Sequence, residues 1–344
     1  MPPVVPPAFR ATLRPHSVAW CLLLGPAAWA QSYAPGHLPE VQVQGPREAA
    51  IGVADSASEG AVERQAFRDR PKLRPGDIVE AVPGVVATQH SGDGKANQYF
   101  LRGFNLDHGT DFAVTVDGMP VNMPTHGHGQ GYADLNFLIP DLVSGVRYRK
   151  GPYFADSGDF SLAGSASLDY LSALDAPFIE TTLGANRLRR LLAAGSRTRD
   201  DQTWLGAIEL EGNDGPWDVP ERLRKVNAVV RYSQGSPAQG FHITGMAYRS
   251  HWTSTDQVPE RLIDSGELPR FGSLNHTDGG STRRLSLSGK WFHNGPQGRT
   301  QVSAYAIDYR FALFSDFTYF LNNPAQGDQF EQTDRRRVFG LQAT

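Results

Sequence analysis

Cysteine is nearly absent. The 344 residues hold one, Cys21, and it lies within an N-terminal stretch that reads as an export signal. Once that signal is removed no thiol remains, which excludes a disulfide framework, cysteine-based zinc sites and thiol catalysis together. Long apolar runs are also missing. The stretch from Val18 to Ala30 is about thirteen residues long, too short to span a bilayer as a helix, and no later run approaches that length. Charge of one sign is lacking as well. Lys and Arg number 33 against 36 Asp and Glu, a net charge of −3, so nothing in the bulk composition argues for a nucleic-acid partner.

What is present begins with the signal itself. Arg10 and Arg14 precede the apolar stretch, and Ala28-Trp-Ala30 is a small-residue cleavage site, so the mature chain is expected to start at Gln31. An exported chain without membrane helices is periplasmic, secreted or an outer-membrane barrel, and strand patterning decides among these. Residues 31–66 are polar apart from the extended island Leu38-Pro-Glu-Val-Gln-Val43 and read as a tail. Residues 67–172 read as a small α+β domain. Asp77–Val82 suits a short helix, started by Asp77 near its N-cap and stopped by Pro83-Gly84. A strand from Phe112 enters a turn at Asp117-Gly118, and another leaves a turn at Val143.

From 178 to 344 the texture changes to runs of roughly ten residues that alternate an apolar-aromatic face with a mixed one. Trp204, Gly206, Ile208 and Leu210 oppose Leu205, Ala207, Glu209 and Glu211; Val226, Ala228, Val230 and Tyr232 oppose Lys225, Asn227, Val229 and Arg231. Leu285, Leu287, Gly289 and Trp291 repeat the pattern, as do Tyr305, Ile307, Tyr309, Phe311 and Leu313. That period and length fit tilted membrane strands with lipid outside and a polar interior. Strands of a soluble sandwich are shorter, about five or six residues. Short turns at Asp200-Asp201 and Gly235-Ser236-Pro237 contrast with a long polar loop between Ser250 and Thr282, which is the outer-membrane rhythm of short turns on one rim and long loops on the other.

His126 and His128 stand one residue apart in Met123-Pro-Thr-His-Gly-His-Gly129. Two readings are open. In an extended segment both imidazoles point to one side and suit Zn, Cu, Ni or Fe; alternatively the segment is a flexible polar turn. The run from Val116 to His128 superficially resembles the Asp-x-His-x-His strand of amidohydrolases. That fold needs alternating strands and helices downstream, and helical periodicity is lacking after Phe178. A Ser-His hydrolase finds no support either, because no G-x-S-x-G occurs. The chain is therefore not expected to be an enzyme.

Four segments in order resemble the TonB-dependent receptors of Gram-negative outer membranes. Leu73-Arg-Pro-Gly-Asp-Ile-Val-Glu-Ala-Val-Pro-Gly-Val85 is similar to the opening of their plug domain. Phe100-Leu-Arg-Gly-Phe104 is similar to its Arg-Gly strand, with Arg102 and Gly103, and Val116-Asp-Gly-Met-Pro-Val121 to its turn at Asp117 and Gly118. Val146-Arg-Tyr-Arg-Lys-Gly-Pro152, ending in Gly151 and Pro152, followed by Ala163-Gly-Ser-Ala-Ser-Leu168, resembles the closing plug segment.

The resemblance implies a plug at 67–172 followed by antiparallel transmembrane β-barrel strands at 178–344. It makes Glu40, Val41, Gln42 and Val43 a TonB box, the segment that adds as a strand to the periplasmic coupling protein. It places residues 88–94, 105–111 and 123–129 in apical plug loops that touch substrate, and so singles out His90, Asp93, Asp107, His108, Asp111, His126, His128 and Tyr132. His90, His108, His126 and His128 are the candidate metal ligands, fit for Zn, Cu, Ni or Co carried as substrate rather than as a resident cofactor. The expected function is energy-coupled uptake of a substrate across the outer membrane, with a transition metal or metal complex as one reading. A siderophore, a sugar, a cobalamin-like complex or a bare divalent metal would all fit a polar apical cup. The alternative is a binding or adhesin-like barrel without transport, and a metal-dependent hydrolase is remote. The expected partners are TonB and outer-membrane lipid, with no nucleic acid, and the chain is expected to be monomeric. About 165 residues after the plug allow roughly eight strands of the 22 that surround a plug. The barrel is therefore expected to be incomplete, a truncated form that does not transport.

Overall fold

The computed structural model describes residues 9–12, 53–68, 70–253, 256–296 and 298–344. The Glu40–Val43 segment and most of the expected signal lie outside them. Within that signal, Phe9–Thr12 forms a short strand, β1, paired antiparallel with Phe178–Leu183.

The plug sheet starts earlier than residue 67. Strands β2 (Val53–Ser56) and β3 (Glu59–Glu63) lead into a single helical turn, α1 (Arg64–Phe67). β3 pairs with a central strand of the domain, so the end of the expected tail belongs to the plug. The reason is burial: Val62 and Phe67 are core residues, a signal that two apolar positions in a polar stretch do not advertise. The expected helix at 77–82 is a 3-10 helix at Pro75–Ala81 instead. Pro75 at its start supplies a preset φ, Arg74 occupies the N-cap without a capping side chain, and Asp77 pairs with Arg74 at 3.0 Å.

The remaining plug strands are β4 (Val85–Thr88), β5 (Gln98–Leu101), β6 (Phe104–Asn105), β7 (Phe112–Val116), β8 (Met119–Pro120), β9 (Val143–Lys150) and β10 (Gly164–Tyr170). β4, β5 and β6 make a three-stranded sheet, and a six-stranded sheet runs β2-β3-β9-β10-β7-β8. In the larger sheet β10 and β7 are parallel and the other pairs antiparallel. Alternate residues of these strands, such as Val114, Val116, Val146 and Leu168, enter the core, as the two-residue period of a strand requires. The expected turn after β7 is present, with Asp117 and Gly118 both at positive φ. Arg102 and Gly103 likewise turn the chain between β5 and β6 at positive φ.

Eight long strands follow: β11 (Phe178–Leu183), β12 (Arg189–Arg199), β13 (Gln202–Asn213), β14 (Leu223–Gly235), β15 (Gln239–Thr253), β16 (Gly279–Gly295), β17 (Gly298–Ser315) and β18 (Phe330–Ala343). Each pairs antiparallel with its sequence neighbour, β1 adds at the β11 edge, and the sheet is open. Strands β12 to β18 run from 11 to 18 residues, longer than sandwich strands. No helix among the described residues is long and apolar enough to cross a membrane. The short connections follow β12, β14 and β16, and the longer ones, which follow β13, β15 and β17, lie on the opposite rim.

Trp204, Ile208, Val230, Leu287 and Trp291 face outward as expected, while Glu209, Lys225, Asn227 and Arg231 are buried against the plug. β17 reverses this rule. Its apolar-aromatic face, with Ile307, Tyr309, Phe311 and Leu313, points inward and is buried. The pattern was legible but its side was not, because a plug loop with aromatic rings of its own packs against that part of the wall.

Candidate functional site

The three histidine loops gather at the rim of the long barrel loops. The second and third are joined by Asn122, which is buried. Its Oδ1 accepts the Val114 N–H at 2.7 Å, and its Nδ2 donates to the carbonyls of Gly109, Phe112 and Gly131 at 2.9, 3.0 and 3.0 Å. The first loop is joined to the others through Tyr132, whose Oη accepts the Ala96 N–H at 3.0 Å. Tyr132 is 1 % exposed and is the hub of the apex.

All four candidate histidines converge near that hub. His126 stacks on Tyr132 with ring centroids 4.1 Å apart and planes 3° from parallel. His108 and His128 each lie 5.6 Å from the same ring. His90 stands 5.1 Å from His108, and His108 stands 4.8 Å from His128. The barrel wall closes one side with Tyr309 and Phe311 against His126 and Phe317 near His128. Burial disfavours the charged imidazolium in all four. It lowers the pKa of His90, takes His108 to about 2, with His128 and Lys95 adding to the effect, and takes His126 and His128 to about 4. At neutral pH the cluster is therefore a set of neutral imidazoles.

The acidic candidates separate. Asp107 stays at the cluster, its Oδ1 3.8 Å from His108 Nε2. Asp93 turns to the barrel: its side chain accepts from Gln89 at 2.9 Å and from Asn213, and its N–H donates to Glu221 Oε2 at 3.2 Å. Asp111 serves through its backbone, at positive φ, with its carbonyl accepting the Ala163 N–H at 2.9 Å. Gly151, also at positive φ, donates its N–H to the carbonyl of Ala163 at 2.8 Å, and Pro152 follows it on the surface. Among the described residues, no group of three or more His, Cys, Asp or Glu side chains is placed to hold a metal ion.

Residue-type reasoning missed three neighbours. Lys95 is buried, with its Nζ 5.6 Å above the Phe317 ring. Gln332 on β18 meets His128, and Tyr309 on β17 meets His126. Lys95 could have been picked out as a charge within a histidine loop. Gln332 and Tyr309 carry no signal in the sequence, because their partners lie about two hundred positions away.

Below the apex the plug is held by buried ion pairs. Asp141 takes Arg190 at 2.7 Å and Lys72 at 2.9 Å, and Arg190 also reaches Glu209. Lys225 bridges Glu209 and Glu211. Asp117, from the expected turn motif, pairs with Arg231, and Asp169 pairs with Lys290 at 3.0 Å.

Residues 53–165 match the TonB-dependent receptor plug domain family. Solved structures of similar fold include the siderophore receptor PiuA from Acinetobacter baumannii, at 14% identity over 87% of this chain and 44% of that one, with a TM-score of 0.62. The ferric-catecholate import receptor Fiu of E. coli K12 in its open form matches at 16% identity, 84% and 46% coverage, and a TM-score of 0.61. The copper transporter OprC matches at 15% identity, 85% and 43% coverage, and a TM-score of 0.60. At these identities the likeness is one of fold, and this chain spans less than half the length of each of those three.

Proposed function

With residues 53–165 a TonB-dependent receptor plug domain set against barrel strands, we propose that this chain serves energy-coupled uptake across a Gram-negative outer membrane. It is a receptor and not an enzyme. The observation that carries the proposal is the position of the apex: histidine loops of the plug meet the wall at the rim of the long loops, which in outer-membrane barrels faces outward. Substrate arriving there touches plug and wall at once. Rearranging the apex would bias the buried ion pairs beneath it, and through them the N-terminal segment.

In this reading Glu40–Val43 is the box that TonB captures by strand addition, and TonB supplies the energy for moving the plug. The similar structures are receptors for siderophores and a copper transporter, and they favour a metal or a metal complex as the class of cargo.

The test is capture of the periplasmic domain of TonB by the purified chain. Val41→Pro removes a backbone donor and disfavours the added strand, so it should weaken capture at least about tenfold while leaving the fold intact. Equal capture by Val41→Pro and wild type would refute the box assignment and favour a barrel that binds without transport.

A further inference from the structure

Hydrogen bonding determines which apex nitrogens are free. His108 Nδ1 faces two carbonyl oxygens, of Ala96 at 3.0 Å and Asn97 at 3.1 Å. Carbonyls only accept, so Nδ1 carries the proton and Nε2 keeps its lone pair. His128 Nδ1 lies 2.8 Å from Gln332 Oε1. The other end of that amide donates to the Gly127 carbonyl at 2.8 Å, which turns its oxygen to the ring, so His128 also keeps its lone pair on Nε2. His90 has a buried Nδ1 with no hydrogen-bond partner.

His126 differs. Its Nδ1 accepts the His128 N–H at 3.1 Å, so its proton sits on Nε2, which meets Tyr309 Oη at 3.1 Å. Both nitrogens are used, and the ring anchors the loop to the wall. The His-x-His spacing therefore pairs the wrong residues: His128 joins His108 and His90, from the other two loops.

We propose that His90, His108 and His128, and not His126, form a three-imidazole site for a borderline transition-metal centre with open coordination positions, such as Cu(II). A backbone carbonyl or amide oxygen holding the second nitrogen of an imidazole is the arrangement that orients metal-ligating histidines, and His108 and His128 both have it. As placed, the three rings do not make a group that holds a metal ion, so the site requires rotation of the imidazoles, and His90, whose Nδ1 has no hydrogen-bond partner, has the least to give up. Gly127 keeps the His128 loop tight on the wall, since a Cβ there would stand 2.8 Å from the Thr333 carbonyl.

Lys95 beside the imidazoles is faced by the Asp107 and Asp256 carboxylates, and Asp107 lies 3.8 Å from His108 Nε2, so the cluster carries charge of both signs. This inference rests on the apex being the substrate-facing end of the plug.

The experiment titrates the full chain in detergent at neutral pH with Cu(II) alone. Nitrogen couplings are read from the copper resonance. Couplings from three imidazole nitrogens should appear. His90→Ala, His108→Gln and His128→Ala should each weaken binding at least about tenfold, and Gln332→Leu about 10- to 100-fold, as loss of an orienting partner does. His126→Phe, which keeps the stack on Tyr132 and loses only the loop's hydrogen-bonded anchor, should weaken binding less than any of these. His126→Phe losing as much as His128→Ala, or binding indifferent to the three histidines, would overturn the site. If His108→Gln fails to fold, His90→Ala still decides, because its Nδ1 holds nothing in place. No copper bound would overturn the metal site, while TonB capture judges the uptake reading separately.

Discussion

Asn122 shows how much of the apex rests on one side chain. It takes part in four hydrogen bonds to the backbone around the second and third loops, in a place where water cannot substitute. Asn122→Leu fills similar space and satisfies none of them. An unsatisfied buried polar group costs about 1–3 kcal/mol, so this variant should lower stability by at least about 2 kcal/mol, read as an earlier thermal midpoint and faster amide exchange at Val114. An unchanged midpoint would mean that the two loops are held elsewhere. The sequence marked the loops by their histidines and said nothing of Asn122, since an asparagine in a turn is unremarkable until its partners are known. The same limit applied to the imidazoles. Their residue types were legible, but the nitrogen left free on His128 depends on Gln332, a residue of a distant strand.

Among elements, the contact between the first plug loop and the barrel loop 214–222 is sensitive to pH. Gly94 lies flat on Trp252, where a Cβ would stand 1.9 Å from the ring, and beside it Asp93 meets Glu221. Burial first, and then the neighbouring Asp93 carboxylate, push Glu221 up to about 7 from an ordinary 4.5. A carboxyl with a raised pKa in the docked state binds more protons there than when free. Its contribution to docking is therefore complete below about 4.5 and is lost as pH rises through 7. Proteolysis within 89–97 and 214–222 should accelerate between pH 6 and pH 8 by roughly the few-fold that one such group supplies. Glu221→Gln should flatten the profile; a profile that stays steep in Glu221→Gln would assign the effect to another group. The strands carrying these loops were legible by their alternation, apart from the inward turn of the aromatic face of β17.

For the whole molecule, the question is what seats the plug against the wall. The plug carboxylate Asp141 and the wall carboxylate Glu209 share Arg190, and all three are at most 3 % exposed. Arg190→Ala would leave two carboxylates buried near each other with Lys72 and Lys225 as their remaining counterions. Breaking a buried pair by removing one partner costs about 3–5 kcal/mol, so the urea concentration at which the plug becomes protease-accessible should fall clearly. A change no larger than that of a surface variant such as Arg199→Ala would show that the plug is held by packing rather than by this network.

The sequence by itself determined the order and type of the parts: a plug with its Arg-Gly and Asp-Gly turns, then long alternating strands with short and long connections in turn. These are local properties, written in periods of two residues and in turn chemistry, and they survive without knowledge of the partner surface. It also determined that three loops of the plug carry histidine. The tertiary structure decided where the plug begins, which face of β17 turns inward, that Asp93 leaves the cluster for the wall, and which imidazoles keep a lone pair. Each of those is settled by contacts between residues far apart in the chain, where burial and hydrogen-bond partners arise only once the plug and the barrel strands have met.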